Sequence, residues 1–309
     1  MNIGIACDKE YLFLCKTMLR SLAENNRNTK NGIAIYYLNS DLKQNELIKF
    51  QTWCNSIGLR LIHIFVDETL LPTDVDFSTG LISSSAAFYR LLLPYLVPDD
   101  IDRILYLDCD MIVNGGIEEL FEIDFQGKLL AVTPDAFCFG GVENINTRIG
   151  LPKDHKYFNS GMLMMNLKAI KNTYSLSDVF SCAKNIQDNM KYVDQDILNV
   201  LYQDKVKYVS MLKYNLQVVR HARNVDFTFL AKQDTRIIHF LAKRKPNNFL
   251  YSNKLKKLFW KYAKMNGYLG HYILFCIINS FTTGMMIFYD KIRKINCDLD
   301  YSRFEGQNN

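Results

Sequence analysis

The chain has 309 residues, 49% of them hydrophobic and 13% aromatic, so a sizeable core is assured and a shortage of apolar material is excluded. The formal net charge of +5 is modest, and no nucleic-acid partner is expected. Eight cysteines with no CxxC pair and no zinc-like spacing fit free thiols in a reducing compartment, and an N-terminus without a basic region, acidic at Asp8, reads as a first strand and not a secretory signal.

Residues 2–7 (NIGIAC) read as a buried strand, 11–24 as a helix with an apolar stripe, and 32–39 (GIAIYYLN) as a second strand. A helix over 42–56 and a strand over 60–66 follow, then a helix over 84–96 that carries Arg90. Further strands are expected at 103–107, 129–133, 161–167 and 236–240, with a helix opening near Asp194-Gln195-Asp196. Strands alternating with helices imply right-handed crossovers and a mostly parallel sheet flanked by helices, whose ligands sit at the carboxyl ends of the strands. Asp8 and the pair Asp108 and Asp110 fall at such ends. With no repeat, no low-complexity linker and no Gly-rich phosphate loop, one continuous domain over 1–250 is expected.

The stretch RILYLDCDMIV (103–113) holds two carboxylates one residue apart at the end of an apolar strand, which is costly without a compensating charge. Taken alone it fits two chemistries. In haloacid-dehalogenase-like phosphatases an Asp-x-Asp supplies a nucleophile and an acid/base. In nucleotide-sugar transferases of GT-A type it holds a divalent cation against a diphosphate. The phosphatase motif opens its fold on the first strand and is followed by a late acidic pair. Here about a hundred residues of α/β chain precede it, and no GDxxxD follows.

Six segments in order, IACDKEY, SAAFYRLLLPYL, RILYLDCDMIV, YFNSGMLMMNL, VDQDILN and IIHFLAKRKPN, resemble the motifs of glycosyltransferase family 8, the retaining GT-A family, over roughly residues 2–250. The resemblance implies a GT-A type Rossmann-like fold. It also implies a metal-dependent transferase moving a hexose, glucose or galactose, from a UDP-sugar to a saccharide, lipid-linked or protein-linked acceptor. Asp108, Asp110 and His239 match the family's metal ligands, and hard oxygens with one imidazole suit Mn²⁺ or Mg²⁺. Lys245 matches the lysine that contacts the diphosphate, although Ala242 stands where the family has glycine. Asp8 and the backbone of Ala6 match the uridine corner, with Glu10 replacing an amide residue. Arg90, Asn159, Asp194 and Gln195 match positions around the donor sugar, and Asp135 matches a carboxylate bordering the sugar and acceptor. A nucleotide-sugar-binding protein without turnover is the rival reading, and intact Asp108, Asp110 and Asp194 argue against it.

The tail over 251–309 differs in kind. Eight basic residues crowd 243–264, and from Met265 to Tyr289 there is no Lys, Arg, Asp or Glu. His271, Asn279, Ser280, Thr282 and Thr283 dilute this stretch, so a helical segment lying on an anionic membrane surface through residues 251–294 fits better than a span. A pair of helices buried on the domain is the alternative. These readings place the protein in the cytoplasm, peripheral at the inner face of the membrane. The loops over 66–83 and 136–156 are where acceptor specificity is expected.

Overall fold

The apolar run Asn2–Ala6 forms β1, with its three middle residues buried, and it lies between β2 (Ile33–Asn39) and β4 (Arg103–Leu107), parallel to both. The computed structural model describes residues 1–29, 31–75, 85–136, 145–218, 226–241, 245–247, 255–274, 276 and 277. The chain divides into two units that do not follow chain order. The first comprises Met1–Leu12, Asn28–Cys109 and Ile117–Val209; the second comprises Phe13–Arg27, Asp110–Gly116 and Ser210–Asn309.

The first unit is built on a seven-stranded sheet in the order β3-β2-β1-β4-β7-β6-β8, where β3 is Leu59–Phe65, β6 Leu130–Pro134, β7 Phe158–Asn166 and β8 Val206–Tyr208. Only β7 runs antiparallel to its neighbours β4 and β6, and the other pairs are parallel. Helices α2 (Gln44–Ser56), α3 (Tyr89–Leu96), α4 (Leu167–Thr173), α5 (Leu176–Ile186) and α6 (Val193–Leu201) connect or flank the strands. Leu91, Leu92 and Leu93 are buried in one apolar cluster with Ile104 and Tyr106 of β4, which holds α3 on the sheet.

Two local features position side chains. Gly4 lets α3 approach β1 closely, because a Cβ there would lie 2.5 Å from Leu93 Cδ2 and 3.3 Å from Cδ1. Leu93 is fully buried. Gly4→Ala is therefore expected to cost about 1–3 kcal/mol through overpacking. A clear fall in the urea midpoint would show it, and an unchanged midpoint would refute the close approach. The second feature is a bulge: β6 pairs Val132 with Leu163 and then Thr133 with Asn159, so Ser160 to Met162 fall between consecutive partners. Such an irregularity re-aims side chains beside functional sites, and Asn159 and Ser160 stand there.

The second unit has a three-stranded sheet, β5-β10-β9, from Met111–Val113, Ile237–Phe240 and Leu216–Val218. β10 is antiparallel to β5 and parallel to β9. Helix α1 (Leu12–Asn25) belongs here: Ser21 Oγ accepts from Val113 N at 2.9 Å, and Asn25 Nδ2 donates to Val113 O at 3.0 Å. Helix α7 (Lys256–Met265) buries Phe259, Trp260 and Tyr262, with the rings of Phe13 and Phe259 5.6 Å apart and those of Phe13 and Tyr268 4.6 Å apart. Beyond it Leu269, Ile273, Leu274 and Ile277 are exposed. No helix among the described residues is long and apolar enough to cross a membrane. The part of the uncharged stretch from 278 onward, and Ala242 of the basic run, lie outside the described residues, as do parts of both loops expected to read the acceptor.

Candidate active site

In the first unit a buried guanidinium is the centre of the site. Arg90 projects from the first turn of α3, and its Nη2 lies 2.9 Å from Asp108 Oδ1 while its Nε lies 3.2 Å from Asp194 Oδ2. Nη1 donates to the backbone oxygen of Ser160 at 2.9 Å and to its hydroxyl at 3.0 Å. Burial works against the charge on Arg90, but Asp108 and then Asp194 outweigh it and hold its pKa above the ordinary guanidinium value. One buried cation thus serves two carboxylates. Burial pushes the pKa of Asp194 up, Arg90 opposes, and the neighbouring charge of Asp108 adds to the rise.

Around Asp194 the network is continuous. Ser160 Oγ donates to Asp194 Oδ2 at 2.9 Å, and Ser160 N donates to Gln195 Oε1 at 2.9 Å. Asn159 Nδ2 donates to Asp135 Oδ2 at 3.0 Å, and Gln195 Nε2 reaches the same oxygen at 3.3 Å. Arg90, Asp108, Asp135, Asn159, Asp194 and Gln195 are therefore brought together, from α3, β4, β6, β7 and α6. Asp196, two residues from Asp194, faces elsewhere and is saturated by Tyr157 Oη at 2.6 Å, the backbone N–H groups of Lys191 and Tyr192, and Arg148.

Asp8 follows β1 and lies at a separate cavity of about 330 Å³ that it lines with Asn39, Ser40, Glu68, Ser85 and Tyr89. Its Oδ1 accepts from Tyr11 N at 3.0 Å, and Ala6 O, at the end of β1, accepts from Cys109 Sγ at 3.9 Å. Glu68 Oε1 accepts from Ser85 Oγ and from Tyr89 Oη, each at 2.6 Å. Those bonds, that from Ser85 first, lower the pKa of Glu68. Tyr89 precedes Arg90, so one wall of the cavity and the guanidinium share the first turn of α3.

In the second unit Asp110, His239 and Lys245 converge. His239 Nε2 lies 3.2 Å from Asp110 Oδ1, and the Lys245 ammonium contacts Asp110 Oδ2. Burial works to raise the pKa of Asp110, but Lys245 and then His239 outweigh it and hold the carboxyl below the usual range. A buried carboxylate facing an imidazole nitrogen is a donor pair that suits a divalent cation, and the Lys245 ammonium on the other oxygen competes for the same charge. Asp108 closes β4 in the first unit and Asp110 opens the next stretch of the second, with only Cys109 between them in sequence.

Ser160, Tyr106 and Asn215, whose Oδ1 lies 3.0 Å from His239 Nδ1, are the neighbours of these groups that reading the sequence missed. Ser160 sits in YFNSGMLMMNL, where a hydroxyl beside Asn159 was the available signal. Tyr106 Oη donates to Asp108 Oδ1 at 3.1 Å from inside an apolar strand, and no pattern marks it.

A mostly parallel sheet with an acidic pair after its fourth strand and a histidine on a small second sheet is the architecture of a GT-A transferase fold. The galactosyltransferase LgtC, solved in complex with donor and acceptor sugar analogs, shares it at TM-score 0.72 and 22% identity, over 88% of this chain and 100% of that one. The sequence model of glycosyl transferase family 8 matches residues 2–248, and the chain belongs to that family. Curated relatives include the glycosyltransferase GlyF of Streptococcus pneumoniae, 27% identical over 86% of this chain and 62% of that protein. The lipopolysaccharide 1,2-glucosyltransferase of Escherichia coli is 25% identical over 80% of this chain and 72% of that protein. The chain spans 62%, 61% and 34% of the lengths of the first three curated relatives it matches.

Proposed function

We propose that the chain is a metal-dependent, retaining glycosyltransferase that moves a hexose, glucose or galactose, from a UDP-sugar to an acceptor in surface polysaccharide or glycoconjugate synthesis. The observation that carries the reading is the network in which one buried guanidinium, Arg90, is shared by Asp108 and Asp194. Asp108, Asp110 and His239 would hold Mn²⁺ or Mg²⁺, which when bound offsets the charge that develops on a departing diphosphate. Lys245 would leave Asp110 to donate to the diphosphate, and Asp8 with the backbone of Ala6 would take the uridine end. Asp194 accepts from sugar hydroxyls, and Asn159, Gln195 and Asp135 border the ring. The family membership and the sugar-transferring relatives support a saccharide, lipid-linked or protein-linked acceptor.

Retention of configuration calls for a covalent intermediate or for attack from the leaving-group face. Gln195 is a weak nucleophile, and Asp194 is engaged by Arg90 and Ser160. Same-face attack follows, in which the departing phosphate oxygen takes the acceptor's proton. A trapped glycosyl adduct on Asp194 would overturn it. The tail, with exposed Leu269, Ile273 and Ile277 after the lysines of α7, would rest on an anionic membrane surface beside an insoluble acceptor, at the cytoplasmic face.

Thermal unfolding with UDP, with Mn²⁺, with both, and with both plus excess chelator tests the reading. A ligand that binds only the folded state adds about 2.7 kcal/mol at a hundred times its dissociation constant. The expected result is a large upward shift only with both ligands, abolished by chelator. No shift under any condition would remove the UDP-sugar reading.

A further inference from the structure

Asn215 lies between a helical turn (Met211–Tyr214) and β9, and its side chain is fully buried. β9 runs parallel to β10 with Gln217 opposite His239, which brings the amide of residue 215 to the imidazole. Asn215 Oδ1 is 3.0 Å from His239 Nδ1, and the other ring nitrogen, Nε2, faces Asp110. A neutral imidazole carries a single N–H. Against an amide oxygen that proton belongs on Nδ1, so Nε2 becomes a lone pair directed beside a carboxylate oxygen. Two acceptors so placed repel unless positive charge joins them. The opposite tautomer would satisfy Asp110 with Nε2–H and would remove the nitrogen from use as a ligand.

We propose that Asn215 is a positioning residue of the cation site: its amide oxygen accepts a hydrogen bond from His239 Nδ1–H, which keeps the proton on Nδ1 and presents Nε2 as a ligand beside Asp110. The proposal rests on the cation reading above. The contact of residue 215 with the preceding turn is made by its backbone N–H, to Met211 O at 2.9 Å. Partners that hold the far nitrogen of a metal-binding histidine fix its tautomer, and losing them typically lowers metal affinity 10- to 100-fold.

Asn215→Asp keeps an acceptor at Nδ1, whereas Asn215→Leu keeps the approximate volume and removes it. Mn²⁺ affinity of the full chain would be titrated in the presence of saturating UDP by electron paramagnetic resonance. The tautomer of His239 would be read from ring ¹⁵N shifts in metal-free protein at a pH where the ring is neutral; the chain has only five histidines to assign. The expected result is Nδ1–H in the wild type and in Asn215→Asp, with Mn²⁺ affinity retained, and about 10- to 100-fold weaker Mn²⁺ binding in Asn215→Leu. A wild-type ring protonated on Nε2 when neutral would overturn the proposal even if Asn215→Leu fails to fold. So would a folded Asn215→Leu that binds Mn²⁺ as the wild type does. Wild-type protein that takes up no Mn²⁺ would remove the cation reading and the proposal together, a result distinct from equal binding by all three proteins, which removes only the role of Asn215.

Discussion

Arg90→Met is expected to destabilise the first unit by about 3–5 kcal/mol, the cost of removing one member of a buried ion pair and stranding the rest. The side chain is 8% exposed and satisfies Asp108, Asp194, Ser160 and, through Nε, Ala87 O at 2.9 Å. Methionine fills the volume and removes the charge that Asp108 and Asp194 share. Arg90→Lys should recover little, because one ammonium cannot span the directions that the planar fork reaches. Urea unfolding measures the loss. The cause is separable: adding Asp108→Asn and Asp194→Asn to Arg90→Met should restore much of the stability, whereas damage from lost packing would be additive. Wild-type stability in Arg90→Lys would show that charge, and not fork geometry, is what the site needs. Transfer should also fall, by about 10²- to 10³-fold if Arg90 donates to the donor in the transition state.

How far the sequence revealed this arrangement depended on the physical range of each signal. The first five elements were legible because each is a local pattern of apolar spacing with a turn between, and β4 was legible to the residue. The strand expected at 161–167 proved to be Phe158–Asn166, beginning earlier because the bulge at Ser160 to Met162 conceals its first residues behind polar ones. Helix α5 was missed despite a readable start, where Ser175 Oγ accepts from Asp178 N and Asp178 Oδ2 accepts from Ser175 N. β5, β8 and β9 have three residues each, too short for any period to register, and only non-local pairing makes them strands.

The site divides the same way. Asp108 and Asp110 stood out because charge after an apolar strand is anomalous, and family resemblance, not chemistry, singled out His239. The partners that hold these groups could not be read, since Ser160 is 70 residues from Arg90 and Asn215 is 24 from His239. Hydrogen bonds across such separations leave no spacing in the chain. Their donors and acceptors are ordinary polar residues until the sheet register aligns them.

Asp110→Asn should have the largest effect on chemistry. The residue is 4% exposed and faces both His239 and Lys245. The amide keeps the shape, and the backbone oxygen of residue 110 still accepts from Phe240 N at 3.1 Å, so the small sheet is retained. What disappears is the negative charge that a divalent ion and the ammonium compete for. Lys245 is partly exposed and can turn toward solvent, which limits the loss of stability. Catalysis has no such escape. A metal acting as Lewis acid contributes several kcal/mol to stabilising charge on a leaving group, and at 1.36 kcal/mol per tenfold that is a fall in transfer of about 10³-fold. Mn²⁺ titration and initial rates with a UDP-sugar would be compared on protein whose unfolding midpoint is near that of the wild type. Loss of both Mn²⁺ binding and rate, with the fold intact, assigns Asp110 to the cation. A variant that retains Mn²⁺ affinity and transfers sugar within tenfold of the wild type would instead make Asp110 the anchor of Lys245, and the cation would have to be sought elsewhere.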